Sequence, residues 1–389
     1  MKNKYIEFHL FSIASFLSIA AGNIFLGILT FCFFIKFYQK QIKLNFDYRG
    51  YCITISFFVI SMFLSALFSG DIIYGLKRWV DMWIWRFMPF IVAIFLLKNY
   101  SNAQKLMLTT FAGIIISSVY AVYQGLSGMS RANGFYGYPM TLAGWLCIFS
   151  PLLLIEFFER KLLGKYYWLA GMAFCICNAA LIFNGTRGAW LAVAIVCAML
   201  LIYYMFKSKR NMSIIIIFVV LITSILINNA KFMYCLDTID DFNKYQSNTE
   251  RILIWQSAWN MFKDHPVLGV GLGQYTENYR EKYVSPLAKE PHLTHAHNNF
   301  MQMLAENGVV GFAGFVIMFG YIILKNLIAW FKTRNVYALM IVSTTVCLLL
   351  QGFTEYNVGN SAVIKMYWLV LGLLVVLDNF YRKEHCKQA

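Results

Sequence analysis

The chain has 389 residues, of which 60% are hydrophobic and only 13% are charged. This composition is too apolar for a soluble domain, and the apolar residues come in long blocks. A bilayer core about 30 Å thick requires ~20 apolar residues per helix, and many blocks reach that length. The sequence therefore predicts an all-α polytopic membrane protein and excludes a soluble globular enzyme.

Twelve apolar blocks are predicted to be membrane helices, and the first pair is short. We predict spans at 6–20, 22–38, 51–68, 80–97, 104–125, 139–158, 165–183, 187–205, 211–228, 301–324, 336–353 and 362–381. The chain then divides into nine spans in residues 1–228, one large outer loop with an interfacial helix at 229–300, and three spans with a tail in residues 301–389. The first span follows the start of the sequence without a small-residue cleavage site, so we expect no removable signal peptide.

The charge pattern predicts which side of the membrane each connection occupies. Most of the 33 lysines and arginines lie at the two termini and in the connections on that same side. The positive-inside rule then places both termini in the cytoplasm and the large loop outside, in the periplasm of a Gram-negative cell. Arg131, Arg187 and Arg251 lie on the side that this rule disfavours, and they need another explanation.

Two of these arginines are predicted at the start of a helix. The motif NGTRGAW ends the seventh span and begins the eighth near Arg187. A cation at a helix N-terminus opposes the helix dipole, whereas the free backbone N–H groups there attract anions. The arrangement recurs at Arg251, with Asn248 or Thr249 as the predicted N-cap. Such a pair suits a phosphate or diphosphate, although a single arginine that reaches lipid headgroups is the simpler alternative for each.

The segment after Arg251 has the pattern of an interfacial helix. Ile252, Trp255, Trp259 and Phe262 recur at helical spacing, which is typical of a helix at the membrane surface, and we take Trp255 as a candidate substrate-binding residue. The GVGLG run that follows lacks the spacing and the preceding strand of a nucleotide-binding loop. We interpret it as a turn.

Three of the six histidines lie within six positions, at His292, His295 and His297. Their spacing is not that of a helical zinc site and only Glu290 lies near, so we expect no metal, and no other cofactor. A general base fits better, because histidine titrates near neutral pH. His297 is the candidate, since it heads a helix that re-enters the membrane with Asn298 as its cap. His292 and His295 fit exposed loop histidines; His295 and Asn298 are also carried as candidate substrate-binding residues.

Other charged residues near the outer face have more than one interpretation. Arg131 lies in a glycine-rich loop with aromatic neighbours, which suits a sugar or a lipid headgroup but also an ordinary interfacial turn. Asp81 and Arg86 are five residues apart and so not on one face of an α-helix, and Arg78 is closer to Asp81 in helical angle. We interpret these charges as structural pairs. Glu355, near the end of the eleventh span, receives no role.

A base and two candidate phosphate-binding arginines at a membrane surface predict transfer of a group from a lipid-linked diphosphate to a hydroxyl acceptor. A lipid-linked diphosphate is a good leaving group, which needs stabilisation of its charge and no strong acid. A hydroxyl acceptor is a poor nucleophile and benefits from a base. No Walker motif is present, and no pair of carboxylates stands beside His297 as a glycosidase would require.

Three motifs together carry a resemblance to a known family. NGTRGAW, the arginine and tryptophan of RILIW with HPVLGVGLGQY behind them, and HAHNNFMQMLAENGVVGFAG resemble the O-antigen ligase family of the O-antigen ligase/polymerase superfamily. The similarity runs from about Arg131 to Gly314. It implies a GT-C-like fold of about 12 transmembrane helices with one large periplasmic loop, in the bacterial inner membrane.

The resemblance also implies an activity and a set of site residues. Such enzymes are inverting glycosyltransferases that need neither metal nor ATP, and they move O-antigen from undecaprenyl diphosphate to the lipid A–core oligosaccharide of lipopolysaccharide. By motif position, Arg187 and Arg251 would bind the diphosphate, His297 would be the base, and Arg131 matches a loop arginine of less defined role. Thr186 stands where the family often has serine.

Three other functions remain open at this point. An O-antigen polymerase would use the same donor, but a single outer loop that holds both Arg251 and His297 favours the ligase. A protein O-oligosaccharyltransferase usually has a longer chain. A transporter of lipid-linked glycans would show repeats and broken helices with polar groups at mid-membrane.

Overall fold

The computed structural model describes residues 5–42, 48–215 and 246–385, and in these residues all regular structure is helical. The α-helices are α1 (Ile6–Leu17), α2 (Ile19–Tyr38), α3 (Arg49–Leu67), α4 (Ile72–Trp79), α5 (Met88–Leu96), α6 (Tyr100–Leu126), α7 (Pro139–Glu159), α8 (Trp168–Asn184), α9 (Arg187–Lys207), α10 (Gln246–Asp264), α11 (Tyr275–Asn278), α12 (Asn299–Thr333), α13 (Val336–Gln351) and α14 (Ser361–His385).

Nine helical stretches in the described residues are long and apolar enough to cross a membrane, with α4 and α5 counted as one stretch. Two further apolar helices, α1 and α13, are shorter. The prediction of an all-α polytopic membrane protein is confirmed. The predicted span at 211–228 is helical as far as residue 215, and the rest of it lies outside the described residues.

Two helices form the centre of the bundle. In α7 and α14, 89% of the 18-residue apolar stretch is buried, against 28–61% in the other membrane-length helices. Helices α8, α9 and α13 pack around α7, while α5 and α6 pack against α14. The exposed sides of the outer helices carry large apolar residues such as Phe31 and Met199, as expected for surfaces that face lipid.

A π-helical segment, Val80–Ile84, joins α4 to α5 and changes the predicted charge pairing. A π-helix bonds residues five apart, so it brings Asp81 and Arg86 onto one side. Arg86 Nη2 lies 3.3 Å from Asp81 Oδ2, whereas Arg78 Nη1 lies 4.0 Å from it. The prediction that Asp81 and Arg86 occupy different faces is wrong, because it assumed α-helical periodicity.

Helix α12 is broken at Gly308, where φ is 58° and ψ is −162°. The break leaves backbone N–H groups without helical partners. Val309 N donates to Pro266 O at 2.8 Å and Val310 N donates to Val267 O at 3.2 Å. The outer loop thus supplies the hydrogen bonds that the break removes, and it is seated against the first three turns of α12.

The GVGLG run makes this contact possible. Gly269, Gly271 and Gly273 have φ angles of 71°, 103° and 82°, which favour glycine. A Cβ on Gly269 would lie 2.3 Å from the backbone carbon of Glu306. The interpretation as a turn is confirmed, and these glycines also allow two backbones to approach closely.

The outer segment has a small core of its own. Ile254, Ala258 and Met261 of α10 are fully buried against tyrosines of the following turns. Trp259, which belongs to the stripe that the sequence predicted, is 45% exposed. The buried face of α10 is therefore displaced around the helix from the predicted apolar stripe, and α10 packs against α12.

Candidate active site

The junction between α8 and α9 has the predicted form. Helix α8 ends at Asn184, Gly185 adopts a left-handed conformation with φ 70°, Thr186 is the N-cap residue, and α9 begins at Arg187. The amide of Asn184 donates to Ala132 O at 2.7 Å. This bond joins the junction to the loop that carries Arg131.

Arg131 reaches across to the same junction. Its Nη2 donates to Thr186 Oγ1 at 2.9 Å and its Nε donates to Asn184 O at 3.3 Å. Burial lowers the pKa of Arg131, the negative charge of Glu355 opposes this shift, and the positive charge of Arg187 adds to it. The structure therefore brings both Arg187 and Glu355 within electrostatic reach of Arg131.

Arg187 connects α9 to α10. Its Nη2 donates to the side-chain oxygen of Asn248 at 3.0 Å. Asn248 lies inside α10, which is helical from at least Gln246. The predicted N-cap at Asn248 or Thr249 is therefore wrong, and Arg251 is not in the first turn. The side chain of Asn248 bonds a distant arginine, which the local sequence pattern does not reveal.

Arg251 faces the same group of charges from α10. Burial lowers its pKa, Glu355 opposes the shift, and Arg187 and Arg131 add to it. Within the described part of the chain, its guanidinium group makes no hydrogen bond or ion pair. A half-buried cation without such a partner favours an anionic ligand. We call Arg131, Arg187 and Arg251 the site arginines.

The loop before α12 holds His297 in a rare conformation. His297 has φ 47°, in the left-handed region. Side chains bond both polar backbone groups of the preceding residue: Trp255 Nε1 donates to Ala296 O at 2.9 Å, and Ala296 N donates to Gln302 Oε1 at 2.7 Å. His297 N donates to His295 Nδ1 at 3.2 Å. These contacts over-determine a strained residue, as is common at functional sites.

Asn298 caps α12, as predicted. Its Oδ1 accepts from Phe300 N at 2.8 Å and from Met301 N at 3.1 Å. Its Nδ2 donates to Phe353 O at 3.0 Å. Asn298 thus fixes both the helix behind His297 and the turn that follows α13.

That turn carries Glu355, a candidate functional residue to which the sequence assigned no role. Glu355 is 6% exposed, and its Oε2 lies 3.4 Å from His297 Nδ1. Burial alone would raise the pKa of Glu355, but the hydrogen bond from His297 and the nearby His297, His295 and Arg251 hold it below its ordinary value. Glu355 is therefore an ionised partner for the imidazole. The sequence showed only that Glu355 lies at the end of a predicted span, and this position did not indicate that His297 is its partner.

His295 stacks close to His297, with ring centroids 4.1 Å apart. Burial lowers the pKa of His295 to about 4, His297 contributes in the same direction, and Glu355 opposes the shift. His295 is thus neutral near pH 7. The interpretation of His295 as an exposed loop histidine is wrong, because the loop folds back onto the 352–356 segment, whereas His292 is exposed as predicted.

The side-chain ligand atoms of His295, His297 and Glu355 lie within 4.8 Å of one another, a spacing that suits a metal ion. Two observations weigh against this use. Glu355 acts electrostatically on Arg131 and Arg251, so these two cations lie close enough to repel a divalent metal ion. His295 Nδ1 already accepts the backbone N–H of His297. The donor set fits an anion site better than a metal centre.

Gly188 allows the start of α9, which carries Arg187, to approach the turn that carries Glu355. A Cβ at this position in the first turn of α9 would lie 1.8 Å from Thr354 Oγ1. The glycine of the TRG motif therefore lets the start of α9 contact the turn that carries Glu355. Arg187 and His297, far apart in sequence, are joined through this contact and the His297–Glu355 pair.

Fold and site together define a polytopic helical membrane protein with an anion-attracting site at one end of its bundle. Residues 171–316 match the family model described as O-antigen ligase. The ComP-specific O-oligosaccharyltransferase of Acinetobacter baylyi (strain ATCC 33305 / BD413 / ADP1) is 25% identical over 294 residues, which cover 74% of this chain and 50% of that protein. The chain thus matches about half the length of this curated relative. The resemblance to the O-antigen ligase family is confirmed.

Proposed function

We propose that this protein is an O-antigen ligase, which transfers O-antigen glycan from undecaprenyl diphosphate to the lipid A–core oligosaccharide. The family match and the relative support glycan transfer of the ligase type. The observation that supports the proposal is that Arg131 and Arg251 lie within electrostatic reach of Glu355, the carboxylate that pairs with His297.

The donor diphosphate binds the site arginines. Arg187 lies at the N-terminus of a membrane-length helix, where free backbone N–H groups add to its positive charge. Arg251 has no hydrogen-bonding partner in the described residues and offers its guanidinium group to a phosphate. Positive charge at this place stabilises the diphosphate as it leaves the sugar.

The acceptor hydroxyl reacts beside His297. The imidazole takes the hydroxyl proton while the hydroxyl oxygen attacks the anomeric carbon and the bond from that carbon to the diphosphate oxygen breaks. Attack opposite the leaving group inverts the anomeric centre. The Glu355 carboxylate stabilises the imidazolium that forms, and Trp255, His295 and Asn298 hold the loop in place.

The orientation belongs to the same proposal. With both termini in the cytoplasm, the site opens to the periplasmic side of the inner membrane, where lipid-linked glycan and lipid A–core meet. The positive-inside pattern of the lysines and arginines supports this orientation.

The test uses purified full-length protein in detergent, undecaprenyl-diphosphate-linked glycan and lipid A–core, with EDTA present. We expect glycosylated lipid A–core as the product. Arg187→Ala and Arg251→Ala should reduce turnover by roughly 10²-fold, as for loss of an electrostatic transition-state contact. Arg280→Ala, at an exposed position of the outer segment, is the matched control and should retain activity. Full activity in either site variant would remove that arginine from the diphosphate role.

A second candidate acceptor is a protein, since the curated relative is an O-oligosaccharyltransferase described as specific for ComP. The same assay with a polypeptide acceptor in place of lipid A–core separates the two functions. Transfer to polypeptide alone would replace the ligase proposal. Extension of one lipid-linked glycan by another would identify a polymerase.

A further inference from the structure

An exposed aromatic side chain, Phe353, lies two residues before Glu355 in the chain and has no part in the proposed reaction. Phe353 is 51% exposed, although it lies in the turn that carries Glu355. The turn is tightly fixed, because Asn299 N donates to Gly352 O at 2.7 Å and Asn298 Nδ2 donates to Phe353 O at 3.0 Å. The backbone of Phe353 is thereby attached directly to the start of the helix that His297 heads.

The ring itself has a rigid support. Phe353 stacks on Phe300, with ring centroids 4.4 Å apart and planes 25° from parallel. Phe300 in turn packs edge-to-face against Phe315 at 5.7 Å. One face of Phe353 is therefore covered by Phe300, and the exposed half of the side chain is its other face and edge. The ring thus presents a flat apolar surface that is held rigidly in the turn that also carries Glu355.

The chemistry of such a surface fits a sugar ring. The face of an aromatic ring carries partial negative charge, and the C–H-rich face of a pyranose packs against it while the hydroxyl groups stay free for hydrogen bonds. Ligand sites commonly combine aromatic surface with a few polar groups that fix orientation. Here those groups are His297 and Glu355.

We propose that Phe353 is the stacking platform for the acceptor pyranose whose hydroxyl reaches His297. This inference rests on the proposed function. The acceptor is preferred over the donor sugar because Asn298, which caps the helix behind the base, bonds the backbone of Phe353. The proposed function assigns the donor diphosphate to arginines of other elements, α9, α10 and the loop before α7.

Three substitutions separate sugar stacking from contact with lipid. Phe353→Ala should raise the KM for lipid A–core about tenfold and leave kcat and the KM for the donor within about twofold. Phe353→Leu keeps an apolar side chain for lipid but loses the aromatic face, so it should resemble Phe353→Ala. Phe353→Trp should bind the acceptor at least as well as the wild type. Phe331→Ala is the matched control, because Phe331 is 59% exposed, packs on Trp330 at 4.7 Å and lies near the opposite end of α12.

Several results would overturn the proposal: a wild-type acceptor KM in Phe353→Ala or in Phe353→Leu, or a rise in the donor KM instead. Calorimetric titration with lipid A–core, performed on His297→Ala and on the same variant with Phe353→Ala, measures binding without turnover. A weaker affinity in the double variant supports the platform, and equal affinities contradict it. Failure of the wild type to transfer glycan would contradict the proposed function. The calorimetric comparison of the two variants would still decide whether Phe353 binds the acceptor.

Discussion

Glu355 is buried beside cationic groups, and burial and neighbouring charge act in opposite directions on its pKa. The effect of the neighbouring charges is larger than that of burial, so the carboxylate stays ionised at neutral pH. Its Oε2 lies 3.4 Å from His297 Nδ1. A carboxylate in this place has two consequences. It stabilises an imidazolium during proton abstraction, and it offsets the mutual repulsion of the site arginines before the donor arrives.

Glu355→Gln should lower kcat by roughly 10²-fold and change the KM for the donor little, since the loss falls on the base and not on the diphosphate contacts. The acid limb that comes from protonation of Glu355, whose pKa the neighbouring charges hold below its ordinary value, should disappear from the pH–rate profile. Glu355→Asp should recover part of kcat. A purely structural role predicts an unchanged pH profile, so that result would count against the positioning role.

His295 makes a separate prediction about stability. Its pKa of about 4 in the folded protein lies below the ordinary value of 6.5, so the unfolded chain binds the proton more readily. Its contribution to stability is complete above pH 6.5 and is lost as the pH falls toward 4. His295→Asn, whose side chain still accepts from the His297 amide, should lose less apparent Tm than the wild type between pH 7 and pH 4.5. The measurement is thermal unfolding in detergent across that range.

The matched control is His292→Asn, since His292 is exposed in the same loop. Its Tm should fall with pH as steeply as that of the wild type. Equal slopes for all three proteins would show that burial of His295 does not contribute to acid sensitivity.

At the level of elements, local signals predicted what local forces determine. Asn298 caps α12 and Gly185 ends α8 because capping depends on residues a few positions apart. The π-helix at Val80–Ile84 was missed because α-helical periodicity was assumed there. The Gly308 break was missed because Pro266 and Val267, which are distant in the chain, accept the hydrogen bonds of the N–H groups that the break leaves free. Glu355 escaped for the same reason: its partner lies 58 residues away.

The contact between α9 and the turn after α13 is open to direct test. Gly188→Ala places a Cβ 1.8 Å from Thr354 Oγ1, so the turn must shift and Glu355 with it. We expect a loss of kcat of tenfold or more, from displacement of the His297–Glu355 pair. Combining Gly188→Ala with Thr354→Gly opens space and should recover part of the activity, a coupling that a double-mutant cycle measures.

Gly320→Ala is the control for the glycine substitution itself, because it occupies a helix and a Cβ added there would meet no atom of the described residues within 4 Å. This variant should be fully active and as stable as the wild type or slightly more so. Additive losses in the Gly188–Thr354 cycle, without recovery, would contradict the proposed contact.

On the scale of the whole molecule, the proposed reaction requires that the site face the periplasm. Helix α9 begins in the site at Arg187 and has 21 residues, which at 1.5 Å per residue gives about 32 Å, enough to cross the bilayer core. Residues just beyond its other end must then lie in the cytoplasm. Lys209 is exposed there, while Leu287, 77% exposed, lies in the outer segment.

In a variant with all nine cysteines replaced, a membrane-impermeant maleimide applied to cells with a permeabilised outer membrane should label Leu287→Cys. Lys209→Cys should react only after the inner membrane is also opened, because the reagent cannot cross it. Both proteins must retain transfer activity, which shows that the substitutions have not altered the insertion. Labelling of Lys209→Cys in sealed cells, with Leu287→Cys protected, would place the arginines and His297 in the cytoplasm, where the lipid A–core acceptor of a periplasmic ligase would not reach them.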